Sequence, residues 1–120
     1  MSVFSNCRRI MPAALFGAAL VIPTASYASQ SLSGTIYGIS VEEGKAFFYT
    51  TGTRSAVPSC STVLKRWVFN AATANGQAML SALLTFYSQG KTIAVTGTGA
   101  CTDWGDTETV RYIIRSEELG

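Results

Sequence analysis

Apolar residues along this chain follow two periods, and the switch between them marks out its elements. From Gly34 to Val41 the residues alternate, with Tyr37, Ile39 and Val41 on one face and Ile36, Gly38 and Ser40 on the other. A period of two predicts a half-buried strand. Glu42-Glu43-Gly44 reads as a turn, with Gly44 free to take positive φ. Lys45 to Thr51, through Phe47-Phe48-Tyr49, reads as the returning strand of a hairpin. Gly52 to Thr62 is a loop, and Val63 to Phe69 a third strand on which Trp67 and Phe69 share a face. From about Ala74 to Ser88 the period lengthens. Met79, Leu80, Leu83, Leu84, Phe86 and Tyr87 form one stripe of a helix. Asn70 or Thr73 can cap its start, Gly76 weakens its first turn, and Gly90 stands where a helix stops. Thr92 to Thr98 is a fourth strand with Ile93 and Val95 inward. Thr107 to Arg115 is a fifth, with Val110, Tyr112 and Ile114 on one face and Arg111, Ile113 and Arg115 on the other. Ser116 to Gly120 is a polar tail expected to fray.

The order β-β-β-α-β-β is mainly β with one helix. It predicts an OB-fold-like small barrel, partly open. The alternative is an open antiparallel α+β sandwich with the helix across one face. Strand curvature separates the two, and periodicity does not encode it.

The start of the chain changes what remains to be explained. Arg8 and Arg9 precede an apolar run from Ile10 to Ile22, Pro23 breaks it, and Ser26-Tyr27-Ala28 places small residues at the −3 and −1 positions of a cut. That is the layout of a secretory signal. The run is shorter than the ~20 residues of a membrane span. Cleavage after Ala28 is expected, leaving residues 29–120 as one domain, periplasmic or secreted. Arg8 and Arg9 carry the whole of the formal net charge of +2, so from Ser29 onward seven basic residues face seven acidic ones. A neutral domain lacks the field that draws nucleic acid. Of three cysteines, Cys7 leaves with the signal. Cys60 and Cys101 then have one possible pairing, and export favours a disulfide. Closing so long a loop is worth about 4 kcal/mol on the chain-entropy account.

The chain has no histidine. That removes Ser-His-Asp and Cys-His machinery and the common zinc sites. No cofactor or metal is expected. Asp103, Asp106 and Glu108 fit neither the calcium pattern nor a carboxyl pair held across a cleft, so they read as solvated loop acids. A small enzyme or a weak cation site on them is the lesser alternative. Gly97-Thr98-Gly99 lacks the residues of a phosphate loop and reads as a turn. Lys65-Arg66-Trp67 could line a nucleic-acid or sugar surface, but alternation assigns Trp67 to the core. Trp104 is the better surface candidate, in a loop between acids. An aromatic ring beside the carboxylates of Asp103 and Asp106 suits sugar recognition, and a lid over the disulfide is the alternative.

The run from Arg66 to Ile113 reads RWVFNAATANGQAMLSALLTFYSQGKTIAVTGTGACTDWGDTETVRYI. It resembles a group of small exported bacterial proteins of unassigned function, with a W-x-F-N strand, a G-Q-A-M-L-S helix start, then G-x-G-x-C and W-G-D-x-E. More remotely, Leu83 to Val95, LLTFYSQGKTIAV, is similar to part of the B subunits of the subtilase-cytotoxin and pertussis-toxin type. That resemblance implies an OB-fold, assembly as a homo-oligomeric ring and binding of cell-surface glycans. Cys60 and Cys101 do not match the cysteine placement of those subunits, and no glycan-contact residue is carried over. The expectation is therefore an exported non-catalytic binding module, for a glycan in the manner of a toxin B subunit. The alternative is a periplasmic or envelope interaction protein, such as an inhibitor of a secreted hydrolase. No nucleic-acid partner and no membrane span in the mature chain are expected.

Overall fold

The computed structural model describes Gly17, Ala18, Leu20 and residues 28–119. The basic start, most of the apolar run and the residues just before Ala28 lie outside the described residues, so most of the expected signal segment, residues 1–28, does too.

Six strands and one α-helix follow in the order β1 (Gln30–Glu42), β2 (Lys45–Thr50), β3 (Arg54–Ser55), β4 (Arg66–Asn70), α1 (Ala74–Ser88), β5 (Thr92–Gly97) and β6 (Val110–Arg115). The sheet order is β4-β2-β1-β5-β6, with the short β3 also on β1, and its ladders are antiparallel. β1 is the shared spine. Its first part pairs with β5 and its second with β2. The hairpin turn is as expected: Glu43 (φ 50°) and Gly44 (φ 75°) are both left-handed, between partners Glu42 and Lys45. Two positive φ angles match the right-handed twist of the flanking strands.

The sheet is not closed into a barrel. Its two ends, β4 and the residues before β6, meet in one parallel bridge between Val68 and Thr109. The outer edge of β4 shows why a longer ladder does not form. Val68 N–H donates to the Glu108 carbonyl at 3.3 Å, but Arg66 N–H donates to Val63 O at 3.1 Å. Asn70 N–H donates to Asp103 Oδ2 at 3.2 Å. A turn and a side chain occupy the positions that a partner strand would need. The turn at Val63 also delays the start of β4 to Arg66.

Two bulges reset the inward faces expected from alternation. Register slips between Tyr37 and Ile39, where Gly38 takes φ +66°. Ile36 and Ile39 therefore both face the core, while Tyr37 and Val41 are exposed. A second slip, between Thr96 and Gly97 on β5, sets Tyr112 and Val110 against them. Val110 and Ile113 reach the core, and Tyr112 is exposed. An extra residue moves every later side chain to the other face.

The helix spans the expected residues. Thr73 is the cap, its hydroxyl accepting from Gly76 N–H at 2.9 Å. Gly76 is there for space, because a Cβ would lie 1.7 Å from the Asn70 carbonyl oxygen. The buried stripe is narrower than expected. Leu83 is fully buried and Met79, Leu80 and Phe86 pack beside it, but Leu84 and Tyr87 are exposed. Leu83 closes a core of Phe48, Trp67, Phe69, Ile93 and Val95. The C-terminal segment does not fray over its described part: Ser116–Leu119 is a 3-10 turn held by Arg115 to Glu117 (3.0 Å) and to Glu118.

Candidate functional site

β2 sets Phe47 and Phe48 on opposite faces. Phe48 enters the core, and Phe47 is turned to the outer side of the β1-β2-β4 face, yet it is only 4% exposed. The loop after Cys101 covers it. Cys60 and Cys101 form the expected disulfide, with Cα atoms 6.2 Å apart, tying the segment before β4 to the loop before β6. Trp104, half-buried, packs edge-on against Phe47 with ring centroids 4.9 Å apart. The Arg66 guanidinium lies 5.4 Å from the Phe47 ring.

These groups frame a shallow recess of ≈ 80 Å³ lined by Ser40, Glu42, Phe47, Tyr49, Arg66 and Trp104. The Arg66 fork is held in place. Nε donates to Thr107 Oγ1 at 2.8 Å, Nη2 pairs with Asp106, and Thr107 Oγ1 donates to Asp106 Oδ1 at 2.9 Å. The indole, the phenol of Tyr49, a fixed guanidinium and a carboxylate thus stand around one depression. Rings supply stacking faces and the polar groups orient a partner. A second groove of ≈ 330 Å³, between β1 and β3, has no aromatic side chain in its lining.

The expected site residues separate into different roles. Trp104 lines the recess, and Asp106 holds its arginine. Asp103 is not in the lining; its carboxylate accepts from Asn70 N–H on the edge of β4. Glu108 is not a solvated loop acid. It is fully buried. Its Oε1 accepts from Gly99 N–H at 2.9 Å and Ser29 N–H at 3.2 Å, and its Oε2 takes Ser29 Oγ–H and Arg54. The Arg54 side chain, 2% exposed, lies 3.8 Å above the Trp67 ring. Burial pulls the Arg54 pKa below its ordinary value, and Glu108 works against that shift. The reason Glu108 is inside is long-range: its partner sits on β3, a strand of two residues that periodicity is too short to reveal. Trp67 is a core residue, as alternation implied.

Sequence reasoning missed Ser40, Glu42 and Tyr49 as recess residues. Alternation along Lys45, Phe47 and Tyr49 could have placed Tyr49 beside Phe47, but which loop covers that face had no local signal. Among the described residues no group of three or more His, Cys, Asp or Glu is placed to hold a metal ion. No helix among them is long and apolar enough to cross a membrane. No protein-family model matches the chain, and no curated protein or solved structure is significantly similar to it.

Proposed function

We propose that this chain is an exported, non-catalytic binding module, built on a partly open OB-like core, that recognises a glycan at the Trp104 recess. The observation that carries the reading is the recess itself: an indole held edge-on by Phe47, beside an arginine already fixed by Asp106 and Thr107. A sugar ring offers an apolar C–H face for the aromatic side chains and hydroxyls for Arg66, Glu42 and Ser40. Two of the five guanidinium donors of Arg66 are engaged inside the protein, which leaves others to meet a hydroxyl. The OB-like reading is supported by the helix between β4 and β5 and by the parallel contact of Val68 with Thr109.

A recess of ≈ 80 Å³ holds one edge of a single sugar. Such contacts give roughly millimolar affinity, about 4 kcal/mol. Ring assembly, implied by the toxin B-subunit resemblance, would multiply it by avidity. The test is a glycan array probed with the protein displayed multivalently. Hits that fall at least about tenfold in Trp104→Ala and persist in Trp104→Phe support the reading. A blank array, or hits indifferent to Trp104→Ala, would overturn it.

A second reading, an envelope interaction protein such as a hydrolase inhibitor, is favoured by Leu64. It is 59% exposed, on the turn between the disulfide and β4. Repeated recovery of one hydrolase on the wild type, lost with Leu64→Asp, would select it over the glycan reading.

A further inference from the structure

The residue that follows the expected cut is built into the core. Ser29 is fully buried. Its carbonyl accepts from Gly97 N–H at 2.9 Å, so it is already held beside β5. Its backbone nitrogen lies 3.2 Å from Glu108 Oε1, and its hydroxyl donates to Oε2. The same hydroxyl accepts from Arg54 Nη2 at 2.9 Å and Nε at 3.3 Å. Gly97 leaves room for the carboxylate, since a Cβ there would stand 1.9 Å from Oε1.

We propose that removal of the leader after Ala28 creates a new α-ammonium on Ser29 that ion-pairs with Glu108 and locks the mature fold. Hydrolysis adds water across the Ala28–Ser29 peptide bond. The Ala28 carbonyl carbon leaves as a carboxylate, and the Ser29 nitrogen becomes an amine that takes up a proton at neutral pH. A single amide N–H on Glu108 is thereby replaced by a charged donor, and charge-assisted hydrogen bonds are about twice as strong as neutral ones. Glu108, from the stretch before β6, favours the ammonium. Arg54, from β3, is the cation that opposes it, and its stacking on Trp67 holds it in place. The processing event then strengthens the fold: the amide contact already present becomes a charged one only after the leader has gone.

The inference rests on the export reading and is independent of the glycan one. The test starts with the full chain expressed with its leader and recovered from the exported fraction. N-terminal sequencing should find Ser29 first; another first residue overturns the proposal at the export step. The exported protein is then compared with the same protein acetylated on its α-amine while unfolded and refolded with its disulfide intact. At pH 7 the free-amine form should melt roughly 4–8 °C higher, the shift that a contact of this strength gives in a domain of this size. An amine whose pKa is raised in the folded state stabilises fully below its unfolded value of about 8. The gap should therefore hold below pH 8 and close as pH rises through the folded value. It should also vanish in Glu108→Gln. Equal melting of the two forms at pH 7, or a gap indifferent to pH, overturns the latch even where Ser29 is the first residue. Acetylation changes no side chain, so a failure of Glu108→Gln to fold does not decide the outcome.

Discussion

The region under α1 and the junction between β4 and β6 hold the same sheet by different physics. Under the helix, Leu83, Phe48, Phe69, Ile93 and Val95 exclude water and make no directional bond. At the junction, one backbone bridge, one disulfide and the buried Ser29–Arg54–Glu108 cluster do the holding. Apolar packing is graded: losing volume costs in proportion to the hole it leaves. A buried charge cluster is closer to all-or-none, because removing one member strands the others without water. The difference teaches why so small a core can leave its sheet unclosed. The polar cluster stitches the gap that a ladder would otherwise fill.

The largest expected effect comes from breaking the polar side. Glu108→Ala leaves Arg54 uncompensated and strips acceptors from Ser29 and Gly99, so urea unfolding should lose about 3–5 kcal/mol. A loss below about 1 kcal/mol would mean that water reaches the junction, and the contrast would fail. Leu83→Ala tests the apolar side and should cost about 2–5 kcal/mol by the same measurement. If the two regions are separate networks, the double variant should be additive within about 0.5 kcal/mol; a larger coupling would show one continuous core. The smallest effect is expected at the rim. Asp106→Asn weakens a half-exposed pair with Arg66, and stability should change by less than about 1 kcal/mol. On the proposed glycan reading its effect should show instead as weaker sugar binding, because Arg66 is then held by Thr107 with a weaker partner at position 106.

Legibility in the sequence followed the same division. The helix was readable over its length, with its cap left between Asn70 and Thr73, because its cap candidates, its stripe and its stop lie within one short segment. The hairpin turn was readable because Gly44 follows two acids. The faces of β1 and β6 were misread after single bulges, at Gly38 and beside Arg111. Glycine at a bulge looks the same in sequence as glycine in a regular strand. The acids were harder still. Asp103, Asp106 and Glu108 lie within one short loop, yet one caps a strand edge, one steadies an arginine and one is buried whole.

By itself the sequence determined the order of the five longer strands, the place of the helix and the only cysteine pairing available from Ser29 onward; the two-residue β3 fell inside a stretch read as loop. Each depends on neighbours in the chain or on a count. Only the tertiary structure decided which faces turned inward, that the sheet stays open, and that Trp104 and Arg66 share a recess. It alone set Glu108 against Arg54 and Ser29, partners 54 and 79 residues away. Local propensity reaches a few residues, whereas burial and ion pairing act through space, between groups that no period along the chain connects.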